Sequence, residues 1–296
     1  MTRHPGHNAK RLKAIVRLAA AALVLAPVAA CAEPGTPSAP VEKASAKPAE
    51  KVPAKGKSRP GAKGGGAPSF FDSFDRLDAR RWYVSDGWTN GSHQSCTWLR
   101  DNLSASGGTL RLIVRKAPNK HRSHGCAEIR THARHGYGTY EARMRSAAGS
   151  GLNTAMFTYS GPPLTKVHDE VDFEFLGKNP QRVQLNYFVG AKGGNEKMVG
   201  IGSDLSSGFN TYAFEWLPGS MRWFINGKLV HSTTGGNLPS VPGQFFFSLW
   251  SGAPSVDGWL GRFDLAAGPT SAEIDWAAYT RPDERCRFPE SITCAR

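Results

Sequence analysis

The chain has 296 residues, 40% of them hydrophobic and 21% charged, which is enough for one large domain or two ordinary ones. Lysine and arginine outnumber aspartate and glutamate by 37 to 24, but residues 1–68 hold 12 of the basic residues and only 3 of the acids. The remaining body is nearly balanced in charge and contains all 8 tryptophans, so it disfavours a nucleic-acid partner and suits a sugar or small-molecule cleft.

The N-terminus has the pattern of an export signal. A basic start precedes an apolar run over residues 18–30, which is too short to span a bilayer but has the length of a signal-peptide core. The run ends in small residues before Cys31, as in a bacterial lipobox, whose cysteine is lipidated after cleavage. We therefore predict a signal peptide over 1–31 and an exported protein, anchored to the cell envelope through lipidated Cys31. The alternative is ordinary cleavage near Ala30 or Ala32, which would release the protein as a periplasmic or extracellular enzyme.

Residues 32–68 are predicted to be a disordered linker. They contain 7 prolines, 6 glycines and 8 alanines and almost no large apolar residue, so they cannot form a core. Lysines recur every four residues from Lys43 to Lys55, but Pro48 and Pro53 interrupt any helix there. We interpret this stretch as a solvated, extended spacer.

Residues 69–296 show the pattern of one all-β domain. Short segments rich in aromatic and β-branched residues alternate with clusters of glycine, asparagine, aspartate and serine, and several segments alternate with a period of two. Residues 221–225 and 228–231 flank Asn226-Gly227, which predicts a hairpin with a type I′ turn. The expected fold is a β-jelly-roll sandwich of two antiparallel sheets.

The cysteine count agrees with export. If Cys31 is lipidated, four cysteines remain, and these can pair in three ways. In an oxidising compartment we favour the pairs Cys96–Cys126 and Cys286–Cys294, with free buried thiols as the alternative for the first pair. A cysteine metal site is disfavoured because the chain has no C-x-x-C spacing.

The segment 168–177 carries the clearest chemical signal. Glu170, Asp172 and Glu174 alternate with three apolar residues, so a strand would present three carboxylates on one face. Such crowding raises the pKa of one member and keeps it protonated near neutral pH, as glycoside hydrolysis requires. A calcium site or a solvated polar face is the alternative.

Strand geometry limits how close the carboxyl groups of Glu170 and Glu174 can come. Residues i and i+4 have Cα atoms roughly 13 Å apart at about 3.3 Å per residue. Retaining glycosidases hold their carboxyl groups about 5–5.5 Å apart. Two glutamates that lean together on a concave strand can close much of the gap, which agrees with Glu170 and Glu174 at the outer positions and the shorter Asp172 between them.

Glu-x-Asp-x-Glu on a strand resembles the signature of family 16 glycoside hydrolases, which are concanavalin A-like jelly rolls. The similarity runs from residue 70 to about residue 280. Lichenase-like stretches occur at residues 90–91, 96–98, 126–130, 137–141, 157–162, 211–216 and 259–261. Residues 81–88, 149–153 and 168–170 resemble the rhizobial endo-1,3-1,4-β-glycanases that trim exopolysaccharide such as succinoglycan.

The resemblance implies roles for individual residues. Glu170 would be the nucleophile, Glu174 the general acid/base, and Asp172 a hydrogen-bond partner of the nucleophile. The implied substrate-binding residues are Trp88, Asn90, Glu128, Arg130, Tyr159, His168, Gln184, Asn186, Trp250 and Trp259. Core packing is the alternative for any one tryptophan and is preferred for Trp223 and Trp276; for Arg130 the alternative is a surface ion pair.

Two positions depart from the lichenase pattern. His168 stands where lichenases have tryptophan, and Ser248 where they have asparagine. A histidine stacks less well on a flat glucosyl ring, so we expect the site to admit a bulkier or substituted sugar. The polymer and its linkages therefore stay open.

The resemblance further implies a structural calcium on the backbone oxygens of Ser73 and Gly108 and on Asp275, or else a buried Asp275 bonded to backbone. No cofactor is expected for catalysis. The predicted function is a retaining endo-β-glycanase acting on β-glucan or exopolysaccharide, and we expect a monomer. The alternatives are a β-glucan transglycosylase and a non-catalytic lectin on the same fold.

Overall fold

The computed structural model describes residues 67–284 and 286–294. The predicted signal peptide with Cys31, and the predicted linker up to residue 66, lie outside the described residues. No helix in the described part of the chain has the length and apolar character needed to cross a membrane.

Short β-strands account for most of the regular structure in the described ranges, and α1 (Asp257–Leu260) is a single helical turn. The strands are β1 (Phe70–Asp72), β2 (Trp82–Val84), β3 (Cys96–Trp98), β4 (Leu103–Ser106), β5 (Thr109–Lys116), β6 (His124–Thr131), β7 (Gly138–Arg145), β8 (Leu152–Tyr159), β9 (Glu170–Leu176), β10 (Arg182–Phe188), β11 (Lys197–Gly200), β12 (Asn210–Leu217), β13 (Ser220–Ile225), β14 (Lys228–Thr234), β15 (Gln244–Ser251) and β16 (Thr270–Thr280).

The strands form two layers that share one continuous path of hydrogen bonds. One layer has the order β11-β10-β9-β8-β15-β6, and the other has the order β5-β16-β7-β12-β13-β14. The two are joined where the ends of β5 and β6 pair, at Arg115–Gly125 and Lys116–His124. The predicted all-β jelly roll with antiparallel sheets is confirmed, and the short pairing of β3 with β6 is parallel.

Aromatic side chains fill the space between the layers. Tyr140 of β7 meets Phe245 of β15 with ring centroids 5.3 Å apart, and Phe175 of β9 meets Tyr212 of β12 at 4.7 Å. Because alternate residues of a strand face opposite sides, β9 contributes Val171, Phe173 and Phe175 to this core. The two tryptophans assigned to packing, Trp223 and Trp276, are both buried.

Local sequence accounts for the turns and the covalent links. Asn226 and Gly227 both have positive φ, 50° and 75°, and connect β13 to β14, which confirms the type I′ hairpin. Both predicted disulfides form, Cys96–Cys126 and Cys286–Cys294. The first joins β3 to β6, so the free-thiol alternative is wrong.

Candidate active site

Strand β9 carries the acidic motif in the predicted orientation. Val171, Phe173 and Phe175 are buried in the core. Glu170, Asp172 and Glu174 project from the other face and line an open cleft of about 680 Å³. Because side chains alternate along the strand, the apolar residues of β9 face the core and its acidic residues face the cleft.

Neighbouring strands place a defined pair of residues beside each carboxylate. Glu170 is flanked by Tyr159 of β8 and Phe188 of β10. Glu174 is flanked in the same way by Ala155 and Gln184. Most of the cleft wall comes from β6, β8 and β15, with the loop after β2. Its residues include Trp88, Asn90, His93, Trp98, Glu128, Arg130, Asn153, Phe157, Tyr159, His168, Phe246, Ser248 and Trp250.

Glu174 is held protonated near neutral pH. Desolvation in the cleft, with the charge of Glu170 nearby, raises the pKa of Glu174 from 4.5 to about 8. Hydrogen bonds from Asn153 Nδ2 at 3.4 Å and Gln184 Nε2 at 2.8 Å oppose this shift by favouring the ionised form. A carboxyl group in this state can donate a proton to a leaving group and later accept one from water.

Asp172 lies between the two glutamates and is almost fully buried. Burial raises its pKa well above the ordinary value, and the neighbouring charges of Glu170 and Glu174 add to the effect. Asp172 is also in hydrogen-bond contact with Glu170. The direction of this shift favours the protonated form of Asp172, which can donate to the Glu170 carboxylate.

Gln184 and Trp259 reach the site through a relay of hydrogen bonds. The Trp259 indole N–H donates to Gln184 Oε1 at 3.1 Å, which leaves the Gln184 amide nitrogen to donate to Glu174. Trp259 also packs against Trp250, with ring centroids 6.0 Å apart. Asn186, on the same strand as Gln184, is buried, and its Oδ1 has no protein partner in the described structure.

Glu128 and Arg130 occupy the β6 side of the cleft. Glu128 is buried and accepts a hydrogen bond from Ser85 Oγ at 2.6 Å. Burial raises its pKa to about 7, against the opposing effects of Ser85 and Arg130. The Arg130 guanidinium lies 4.2 Å from the ring centroid of Tyr83 and 5.8 Å from that of Phe246. Aromatic stacking, rather than a surface ion pair, holds this arginine in the cleft wall.

The loop after β2 brings an aromatic and an amide to the same wall. Trp88 packs edge-on against Trp98, with ring centroids 6.4 Å apart. Asn90 Oδ1 accepts a hydrogen bond from the Trp98 indole N–H at 3.2 Å. Trp250 on β15 contacts His93, so exposed and half-buried rings line this part of the cleft. Such rings offer flat apolar faces to pyranose rings.

Several cleft residues were not predicted from the sequence. Ser85 orients Glu128, Asn153 bonds Glu174, and Phe157 and Phe246 form part of the cleft wall. Asn153 lies within one of the stretches that resemble the rhizobial enzymes, and that stretch was the available signal for it. Ser85 and Phe157 also lie in stretches that carry the resemblance, 81–88 and 157–162, whereas Phe246 lies in none of them. Their contacts were not predictable, because a contact depends on which strand lies beside the residue.

The residues implied for calcium lie in or beside the layer that contains β16, not the layer that carries the cleft. Ser73 follows β1, and a side-chain carbon on Gly108 would stand 3.9 Å from the Ser73 carbonyl oxygen, so these two are neighbours. Asp275 on β16, half-buried, accepts a hydrogen bond from the Arg143 guanidinium. The one carboxylate of the set thus already has a cationic partner, whereas Ca²⁺ is bound by carboxylate and carbonyl oxygens. Calcium binding at these residues stays a prediction, and the ion pair between Arg143 and Asp275 disfavours it.

No group of three histidine, cysteine, aspartate or glutamate side chains in the described ranges is arranged to hold a metal ion. One strand face that presents a carboxyl held protonated four residues from a second carboxylate, in an open aromatic-lined cleft, has the arrangement of a glycoside hydrolase.

Comparison with known proteins identifies the family. Residues 90–278 match the glycosyl hydrolases family 16, and the chain belongs to this family. It is 47% identical over 227 residues to the endo-1,3-1,4-beta-glycanase ExoK of Rhizobium meliloti, covering 76% of this chain and 84% of that protein. It is 41% identical over 213 residues to the beta-glucanase of Paenibacillus macerans, covering 71% and 87%.

The fold agrees with a solved structure of the same kind. The Bacillus licheniformis beta-glucanase superposes with a TM-score of 0.69 at 38% sequence identity, covering 73% of this chain and 99% of that one. The predicted family, fold and hydrolase class are therefore confirmed.

Proposed function

We propose that the protein is a retaining endo-β-glycanase that cleaves internal bonds of a mixed-linkage β-glucan or a related bacterial exopolysaccharide. The observation that carries the proposal is the pairing on one strand face of Glu170 with Glu174, whose pKa is raised to about 8. The similarity to an endo-1,3-1,4-beta-glycanase and to beta-glucanases supports the substrate class. The open cleft suits an internal stretch of a long chain.

In the proposed mechanism an oxygen of Glu170 attacks the anomeric carbon while Glu174 gives its proton to the leaving sugar oxygen. A glycosyl ester on Glu170 results. Water then attacks the same carbon, one of its protons passes to Glu174, and Glu170 is released as a carboxylate. Asp172, kept protonated, stabilises the ionised Glu170 between turnovers.

Digestion of a polymer panel tests the substrate. Lichenan, barley glucan, laminarin, xyloglucan and succinoglycan are treated with equal enzyme, and reducing ends and product sizes are measured. We expect short oligosaccharides from mixed-linkage glucan, from succinoglycan or from both, since His168 and Ser248 stand where lichenases have other residues. No new reducing ends on any polymer would refute hydrolysis and favour a lectin. Products longer than an added acceptor oligosaccharide would favour a transglycosylase.

We also propose that the protein is exported as a monomer and anchored through Cys31. Two disulfides are typical of an oxidising compartment, which supports export. Incorporation of labelled palmitate in expressing cells tests the anchor, and Cys31→Ser should abolish the label and release the protein from membranes. Equal labelling of this variant would refute lipidation at Cys31. Light scattering of the purified domain tests the monomer.

A further inference from the structure

A histidine contacts the carboxylate assigned as the nucleophile. His168 Nε2 lies 2.5 Å from Glu170 Oε2, and both side chains are largely shielded from solvent, with 24% and 18% exposed. The two residues are two positions apart, so they leave the backbone on the same side. This contact gives His168 a partner within the protein instead of leaving it free for the sugar.

The imidazole ring is held in place by two aromatic neighbours. It stacks on Phe188 with ring centroids 5.2 Å apart and an interplanar angle of 18°. Tyr159 packs against it edge-on at 4.8 Å, and the Tyr159 hydroxyl is itself fixed by donating to the Pro162 carbonyl at 2.9 Å. Restricted in this way, the ring keeps Nε2 directed at Glu170.

The backbone beneath the ring is also fixed. The Ala191 N–H donates to the His168 carbonyl at 2.8 Å. The next residue, Asp169, is buried, and its carboxylate accepts hydrogen bonds from the N–H groups of Ser240 at 2.8 Å and Val241 at 3.1 Å. Hydrogen bonds to two neighbouring loops thus fix residues 168–169, which precede β9. The position of His168 is therefore set before substrate binds.

We propose that His168 is a positioning residue that holds Glu170 by its Oε2 oxygen and speeds the release of Glu170 from the covalent intermediate. This inference rests on the proposed function. An ionised carboxylate has no proton, so His168 Nε2 must be the donor, in the neutral or the cationic ring.

The hydrogen bond from His168 to Glu170 has opposite effects on the rates of the two half-reactions. In the first, a bond forms between Glu170 and the anomeric carbon, the glycosidic bond breaks, and the leaving oxygen takes the Glu174 proton. In the second, water bonds to that carbon, a water proton moves to Glu174, and the electron pair of the broken ester bond returns to Glu170. A donor to Glu170 stabilises the carboxylate, so it weakens the nucleophile in the first step and improves the leaving group in the second.

The experiment begins with the unmodified enzyme. A 2,4-dinitrophenyl 2-deoxy-2-fluoro-β-glycoside is added, and peptide mass spectrometry locates the trapped sugar. A label on Glu170 is expected. A label elsewhere, or none, would refute the nucleophile assignment in the proposed function and with it this inference, and that failure is visible before any variant is made.

Three variants then test His168 itself: His168→Phe removes the donor, His168→Gln keeps an N–H donor, and Phe188→Leu alters the stacking but keeps the histidine. With an unfluorinated 2,4-dinitrophenyl glycoside, His168→Phe should lower kcat by about tenfold, the effect of about 1.4 kcal/mol on one step. KM should fall in parallel, with a burst of dinitrophenolate and accumulation of the glycosyl-enzyme. His168→Gln should stay within about threefold of the parent kcat and KM, and Phe188→Leu, which keeps the donor but loosens the ring, should fall between the parent and His168→Phe.

Two outcomes would overturn the proposal. One is a folded His168→Phe enzyme with unchanged kcat. The other is a His168→Phe enzyme in which kcat and kcat/KM fall equally and no intermediate accumulates, because that pattern would place the effect in the first step or in general structure. Melting curves of all three variants establish that each is folded.

Discussion

Replacing Gln184 by leucine should move the alkaline limit of activity upward. The Gln184 amide donates at 2.8 Å to Glu174 Oε2, a bond that favours the ionised form of a group whose pKa is already raised to about 8. A hydrogen bond to a charged group contributes about 1.5–3 kcal/mol, and about 1.4 kcal/mol corresponds to one pKa unit. Loss of this bond should therefore raise the pKa of Glu174 to about 9–10 in Gln184→Leu.

The assay is kcat/KM on soluble barley glucan across a pH series, because the alkaline limb of that profile reports the essential acid of the free enzyme. The parent should lose activity as pH rises through about 8, and Gln184→Leu should keep it to higher pH, with lower kcat/KM throughout. Asn153→Leu removes the other hydrogen bond to Glu174, 3.4 Å long, and should move the alkaline limb in the same direction. An alkaline limb that stays in place or moves down in Gln184→Leu would refute the reasoning.

Three further predictions follow from the same contacts. Azide should rescue both Glu170→Ala and Glu174→Ala, giving the α-glycosyl azide with the first and the β-anomer with the second, as nuclear magnetic resonance of the products can establish. Removing the Cys96–Cys126 disulfide, which spans 30 residues, by double substitution to alanine should lower the free energy of unfolding by about 3–4 kcal/mol in denaturant titrations. Burial, with the charge of Arg81, lowers the pKa of His135 from 6.5 to about 4, so stability present above pH 6.5 should be lost as pH falls from 6.5 towards 4, by about 3 kcal/mol.

Each of these has a result that contradicts it. Identical anomers from the two azide reactions would reverse or remove the assigned roles of Glu170 and Glu174. A disulfide-free variant as stable as the parent would show that the link constrains nothing in the unfolded chain. For His135, the comparison is His135→Phe: if its loss of stability on acidification equals that of the parent, then the buried imidazole is not the group that titrates.

The sequence alone was sufficient wherever a local period or a local turn decided the outcome. Acids at 170, 172 and 174 between apolar residues could only face one side of a strand, because successive side chains alternate, and the cleft face of β9 followed from that. The Asn226-Gly227 hairpin followed in the same way from the positive φ angles that this turn requires. With Cys31 set aside, four cysteines can pair in three ways, and the favoured pairing, Cys96–Cys126 with Cys286–Cys294, is confirmed.

The order of the strands decided which side chains distant in the chain share hydrogen bonds. Ser85 and Glu128 are 43 positions apart, and Gln184 and Trp259 are 75 apart. Each pair shares a hydrogen bond because the segment after β2 lies beside β6 and α1 lies beside β10. Arg143 reaches Asp275 across 132 positions in the same way.

His168 also shows the difference between what the sequence reveals and what the tertiary structure decides. The sequence shows His168 two residues before Glu170, but only the packing of Phe188 from β10 and Tyr159 from β8 turns its ring toward that carboxylate. A strand's alternation is a property of its own backbone, whereas side-chain partners depend on register and neighbours, which form only when the sheets close. The positions of the acids were therefore readable from the sequence, and the groups that tune them came from the tertiary structure.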